Sequence, residues 1–100
     1  MNELDQTTHF IQHAAEYFDQ LVPVATDDEL FAAGYLRGHV DLVVGTLQVS
    51  EQPFDVEQIT SNVAASLQQA IMQGELNTAD EQQVRAVWQQ LLHLYETSAP

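Results

Sequence analysis

One hundred residues include fifteen Asp and Glu but only two arginines and no lysine, for a formal net charge of −13 and a pI near 4.1. That charge excludes unaided binding to nucleic-acid phosphate or to an anionic membrane surface, since both need clustered Lys and Arg. The lack of cysteine excludes disulfides, a thiol nucleophile and thiolate-bound zinc. The length suits one domain, and a hydrophobic content of 45% is enough for a real core.

The start, Met1-Asn2-Glu3-Leu4-Asp5, lacks the basic and apolar regions of a secretory signal. No stretch approaches the roughly 18 apolar residues of a membrane span. The expectation is a cytoplasmic protein that does not enter a membrane.

Four helices are predicted in chain order. The first covers about 3–22, where Leu4, Ile11, Ala14, Phe18 and Leu21 fall on one stripe and Pro23 forces a break. The second covers 27–49 and opens on a capping box, Thr26-Asp27-Asp28-Glu29, whose acids suit the positive end of the helix dipole. The third covers about 55–73, with Asp55 as N-cap, an inner stripe of Val56, Ile59, Val63, Leu67, Ala70 and Ile71, and Gly74 as the terminating residue. The fourth covers about 79–96. It starts on a second capping box, Thr78-Ala79-Asp80-Glu81, shows Val84, Val87, Trp88, Leu91 and Tyr95 at helical spacing, and leaves a frayed tail at 97–100. Short linkers predict that consecutive helices are antiparallel neighbours. Thirteen glutamines fall mostly on presumed outer faces as uncharged helix formers.

The second helix is unlike the others. Phe31, Tyr35, Leu36, Val40, Leu42, Val43, Val44 and Leu47 cover well over half of its circumference, which predicts a helix buried by several neighbours. The remaining band holds Gly34, Gly38 and Gly45 beside Arg37, Asp41 and Gln48. Each glycine costs about 1 kcal/mol relative to alanine inside a helix, so the strip needs a reason. The plain reason is tight helix packing, within the fold or across a dimer; a small-molecule groove is the sharper one. Arg37 and Asp41 read first as a local i, i+4 ion pair. Alternatively, the Arg37 guanidinium holds a carboxylate from another segment or another chain. His39, on the apolar side near Tyr35, reads as a core histidine bonded to one backbone or hydroxyl acceptor, with a pH-sensitive switch as the alternative.

His9, His13 and Glu16 form H-x₃-H-x₂-E on the first helix, with Asp5 on the same face, and two histidines four apart can share a divalent ion. That face is predicted to point away from the core, so these residues are only weak metal candidates. His93 is predicted to be exposed. No nucleophile elbow, Walker loop, dinucleotide fingerprint or paired di-iron motif is present, and no carboxylate pair stands in an apolar setting. The expectation is that the chain is not an enzyme and carries no cofactor.

The run Asp27-Asp28-Glu29-Leu30-Phe31-Ala32-Ala33-Gly34-Tyr35-Leu36-Arg37-Gly38-His39 resembles the signature stretch of the YfcL family. Gly74-Glu75-Leu76 and Trp88 resemble its C-terminal half, so the similarity spans about Leu21 to Leu92. The resemblance implies a cytoplasmic, all-α bacterial protein of undefined activity and supplies no catalytic residues. It draws attention to the same glycine-lined side of the second helix.

Together these readings predict a single all-α domain over residues 1–100, a four-helix bundle-like array with a central, largely buried second helix. The expected role is a non-enzymatic protein–protein interaction or regulatory module. The alternative is a small-ligand- or divalent-metal-binding regulatory domain. The candidate interaction residues are Gly34, Tyr35, Arg37, Gly38, His39 and Asp41. The expected partner is a protein, basic if the charge steers it, and the chain itself is a monomer or a homodimer.

Overall fold

The computed structural model describes the backbone of residues 3–98 and the side chains of residues 6–97. It contains four helices, α1 (Glu3–Leu21), α2 (Asp27–Val49), α3 (Val56–Met72) and α4 (Thr78–Ser98), with no strand among the described residues. The fold is all-α, as the periodicity predicts.

The helix ends follow local chemistry. α1 stops at Leu21, two residues before Pro23, because a residue preceding proline disfavours helical backbone. At Thr26 the capping box forms in full: the Thr26 hydroxyl accepts from the Glu29 N–H at 3.2 Å, and the Glu29 carboxylate accepts from the Thr26 N–H at 3.1 Å. Asp55 caps α3 by accepting from the Gln58 N–H at 2.8 Å. The second expected capping box does not form. Asn77 takes the cap of α4 instead, its side-chain oxygen accepting from the Asp80 N–H at 2.7 Å, so the helix begins one residue earlier than expected. Its last turn runs through Thr97 to Ser98, where a frayed tail was expected; Ala99 and Pro100 lie outside the described residues.

The buried stripe of α1 is Thr7, Phe10, Ala14 and Phe18, rotated from the expected one, so Ile11 and Leu21 are only half-buried. Phe10 is drawn inward because its ring packs edge-on against Tyr95 of α4, with centroids 4.9 Å apart. Thr7 tolerates burial because its hydroxyl donates to the Phe54 carbonyl at 3.3 Å, tying α1 to the α2–α3 connection. The Leu4 side chain, placed on this stripe by its spacing, lies outside the described residues.

α2 is central in its packing, touching all three other helices and α4 most extensively. Ala32, Ala33, Leu36, Val40, Val43, Val44 and Leu47 form its buried side. Burial is nonetheless one-sided: Phe31 keeps 49%, Leu42 66% and Val49 81% of its surface exposed. The expectation of consecutive neighbours fails at one place. α3 and α4 barely meet, because α2 lies between them.

Two helix ends show the same backbone need met by different residues. Gly74, at φ 78°, closes α3 with a Schellman pair: the Glu75 N–H donates to the Ala70 carbonyl at 3.2 Å and the Gly74 N–H to the Ile71 carbonyl at 3.0 Å. After α2, Glu51 takes the left-handed conformation at φ 61°. An L residue is disfavoured there by roughly 1–2 kcal/mol, offset in part by the greater unfolded-chain freedom of glycine. Glu51→Gly is therefore expected to raise stability by up to about 1 kcal/mol, and Gly74→Ala to lower it by about the same amount, as read from urea midpoints.

Candidate functional site

At 100° per residue, the buried stripe of α2 centred on Leu36, Val40 and Val43 leaves Gly34, Gly38, Asp41 and Gly45 on the opposite side. The three glycines are open: a Cβ built at Gly34, Gly38 or Gly45 meets no atom outside its own helix within 4 Å. Tight packing within the fold, the first expectation for this strip, is thereby corrected. Gly34 and Gly38 are exposed, while Gly45 is half-buried at the edge of a groove beside α1, and no neighbouring helix packs directly on the strip.

The exposed apolar residues of α2 adjoin this strip. Phe31, Tyr35, Gly38, Leu42, Gly45 and Val49 recur at spacings of four and three, the pattern of a coiled-coil seam. Large residues at 35, 42 and 49 alternate with glycines at 38 and 45. This heptad order is visible in the sequence, where it merges into an apolar surface covering well over half of the helix.

Arg37 lies on one flank. It does not pair with Asp41 as the plain reading predicts. Its Nη1 bonds the Asp19 carboxylate of α1 at 3.2 Å, and its guanidinium carbon stands 5.7 Å from the Phe18 ring centroid. A carboxylate on another helix thus wins over the local one, because the guanidinium gains the Phe18 ring face at the same time. Both partners are partly solvated, so the pair itself contributes at most about 1 kcal/mol.

Tyr35 lies on the other flank. Its ring stacks on Phe31 and tilts against His39, with centroids 6.1 and 4.8 Å apart, and its hydroxyl donates to Glu75 Oε1 at 2.8 Å. Glu75 is delivered to this spot by the Schellman turn at Gly74. His39 is half-buried, and its Nδ1 shares a 2.6 Å hydrogen bond with the Ser66 hydroxyl of α3, the arrangement of a packed histidine with a hydroxyl partner. Asp19 and Ser66 belong to the site but carried no signal in the sequence, and Glu75 stood out there only within the run Gly74-Glu75-Leu76, since their roles depend on which helices come together.

Between α1 and α2 lies a groove of about 280 Å³, lined by Ala14, Phe18, Val40 and Val44 with Arg37 and Asp41 at its rim. Ligand pockets commonly run to about 300–1,000 Å³, so this one lies at the lower margin. The Nη1 of Arg37, at its rim, is already engaged by Asp19.

The metal candidates are dispersed. His13 does not point away from the core: its Nε2 donates to the Leu91 carbonyl at 3.2 Å and its ring lies 5.5 Å from that of Tyr95. His9 is exposed beside the same ring, and Glu16 faces solvent. A metal on His13 Nε2 would have to break the Leu91 bond. Among the described residues, no three His, Asp or Glu converge as a metal site; the Asp5 side chain lies outside them. His93 is exposed, as expected.

These features define a class: a small acidic four-helix domain whose central helix leaves a glycine-floored apolar face uncovered. The chain belongs to the YfcL family; the family model described as YfcL protein matches residues 8–93, taking in most of α1 as well as the later helices. It is 41% identical over 73 residues to "Uncharacterized protein YfcL" of Escherichia coli (strain K12), covering 73% of this chain and 78% of that one. No solved structure matches it.

Two measurements check this geometry. Gly38→Leu is expected to leave stability level or raise it by up to about 1 kcal/mol in chemical denaturation, because helix propensity improves and the added Cβ stands in open space. Tyr35 is expected to ionise late. Burial first, then the hydrogen bond to Glu75 and its charge, push the phenol up to about 12 from 10.0. An unfolded tyrosine loses its proton near 10, so this contribution to stability is complete below that pH and lost as pH rises through about 12. Ultraviolet phenolate titration should show the late step, Tyr35→Phe should remove it, and Glu75→Gln should move it down without restoring the ordinary value.

Proposed function

We propose that the chain is a small, non-enzymatic helical interaction module whose contact surface is the open face of α2. One observation carries the reading: Phe31, Leu42 and Val49 stand exposed in heptad order with glycines whose Cβ positions meet nothing. Three glycines inside one helix sacrifice roughly 3 kcal/mol of propensity, and contacts inside the chain do not return it. A contiguous apolar stripe in a chain this acidic is the usual mark of a binding surface. The α2 surface also has a polar border, the arrangement of interfaces whose apolar centre is ringed by solvated groups.

The proposal places the module in the cytoplasm, where a cysteine-free composition is at home. The ligand-binding alternative has less to stand on, since the α1–α2 groove is small and its one cation is already held by Asp19. A metal-dependent role has less still, because His13 is bonded to the Leu91 carbonyl.

Site-directed photocrosslinking in the producing cell tests the module reading. Benzoylphenylalanine replacing Leu42 is expected to give discrete protein adducts that Gly38→Leu suppresses. The same group replacing Gln69, on the solvent side of α3, is expected to give none. A lack of adducts from positions 31, 42 and 49 alike would withdraw the reading.

A further inference from the structure

The partner's chemistry can be read from the shape and charge of this face. We propose that the α2 face receives an amphipathic helix with a continuous apolar seam and Lys/Arg-rich flanks, an inference that rests on the interaction reading above.

Shape selects a helix. The stripe from Phe31 to Val49 is about 27 Å long at 1.5 Å per residue, so it presents five turns of one helix. Its four-and-three spacing matches the seam of a second helix and not the two-residue period of a strand. Gly38 and Gly45, seven residues apart, provide flat floor over which large side chains of the incoming helix sit, while Leu42 and Val49 fill the spaces between them.

Charge selects a basic one. Asp27 lies in line with the glycines at the N-terminal end of the stripe, Asp41 stands beside Gly38 and Gly45, and Glu75 is held against Tyr35 at 2.8 Å. All three acids are exposed. Neither arginine neutralises them: Arg37 is engaged by Asp19, and Arg85 bonds Glu81 and Gln68 on the α3–α4 side. A second copy of the chain is the wrong occupant. It brings another thirteen net negative charges, and a twofold axis through the middle of the stripe sets Asp41 near its own image. A partner with Lys or Arg on either side of its seam meets an acidic rim while its apolar residues cover Phe31, Leu42 and Val49.

The test is a displayed library of helical peptides of about 20 residues, long enough to span the stripe. Each has a fixed Leu/Ala heptad seam and flanks drawn equally from Lys, Arg, Glu and Gln, and selection is on the immobilised full-length protein. The expected result is enrichment of Lys/Arg flanks. A synthesised winner should bind roughly tenfold or more weakly to both Phe31→Asp and Gly38→Leu, the loss typical of a central interface position. Both variants should keep the helical circular dichroism of the parent. Phe31→Asp adds a negative charge, so adhesion by bulk charge alone would strengthen with it. Such strengthening, together with indifference to Gly38→Leu, overturns the proposal. Enrichment of neutral or acidic flanks, still sensitive to Gly38→Leu, overturns the basic partner and leaves the interaction module standing. No enrichment at all withdraws both. A concentration-dependent dimer in sedimentation that Gly38→Leu abolishes assigns the face to a second copy and likewise overturns the proposal.

Discussion

Leu36, fully buried on the inner side of α2, is packed together with Val40, Val43, Val44 and Leu47 into one core shared by all four helices. A helix is rigid on this scale, so burying that stripe dictates where every other residue of α2 must go. With α3 and α4 to either side and α1 leaning across, the neighbours occupy the inner side of the helix and leave the opposite one bare. The apolar surface of α2 is broader than the neighbours can cover. Phe31, Leu42 and Val49 are the excess, and they stand beside the glycines because both lie opposite Leu36.

Polar groups fasten this arrangement at a few chosen points. Tyr35 reaches the turn that ends α3, His39 reaches Ser66 on α3, and Arg37 reaches Asp19 on α1, so α2 is tied laterally on both flanks of its open face. His13 and Thr7 fasten α1 in the same way, each donating to a backbone carbonyl of a distant segment. No buried side-chain nitrogen or oxygen among the described residues lacks a partner, which fits a core that holds its polar groups without strain. These ties hold α2 to its neighbours on both flanks of the open face.

The acidity of the chain has two separate origins. Many of the acids cap helices or occupy first turns, as at Asp27, Asp28, Glu29, Asp55 and Asp80, where the helix dipole alone accounts for them. Asp41 and Glu75 are different, since neither lies in the first turn of a helix and both border the open stripe. The scarcity of cations sharpens this contrast. Arg37 is paired with Asp19 on α1 and Arg85 with Glu81 within α4, so neither neutralises the rim.

Helix number, the N-caps of α2 and α3 and most inner residues of α2, α3 and α4 were legible in the sequence, because periodicity and capping depend on residues within a turn or two of each other. Thr26 and Asp55 cap where their spacing says they should, whereas Asn77 displaced Thr78 because either residue offers an oxygen at that turn and backbone geometry chooses between them. The glycines, too, were conspicuous at once as a strip needing a cause. What the sequence could not contain is which side of α2 would be left uncovered. An apolar residue on a wheel looks the same whether a neighbour arrives or not, so Leu42 and Val43 were indistinguishable until three helices gathered on the side of Val43. The choice of Asp19 over Asp41 by Arg37 and the inward turn of His13 have the same origin. Local chemistry determined the helices of this protein; the direction from which they meet decided which surface was left to meet something else.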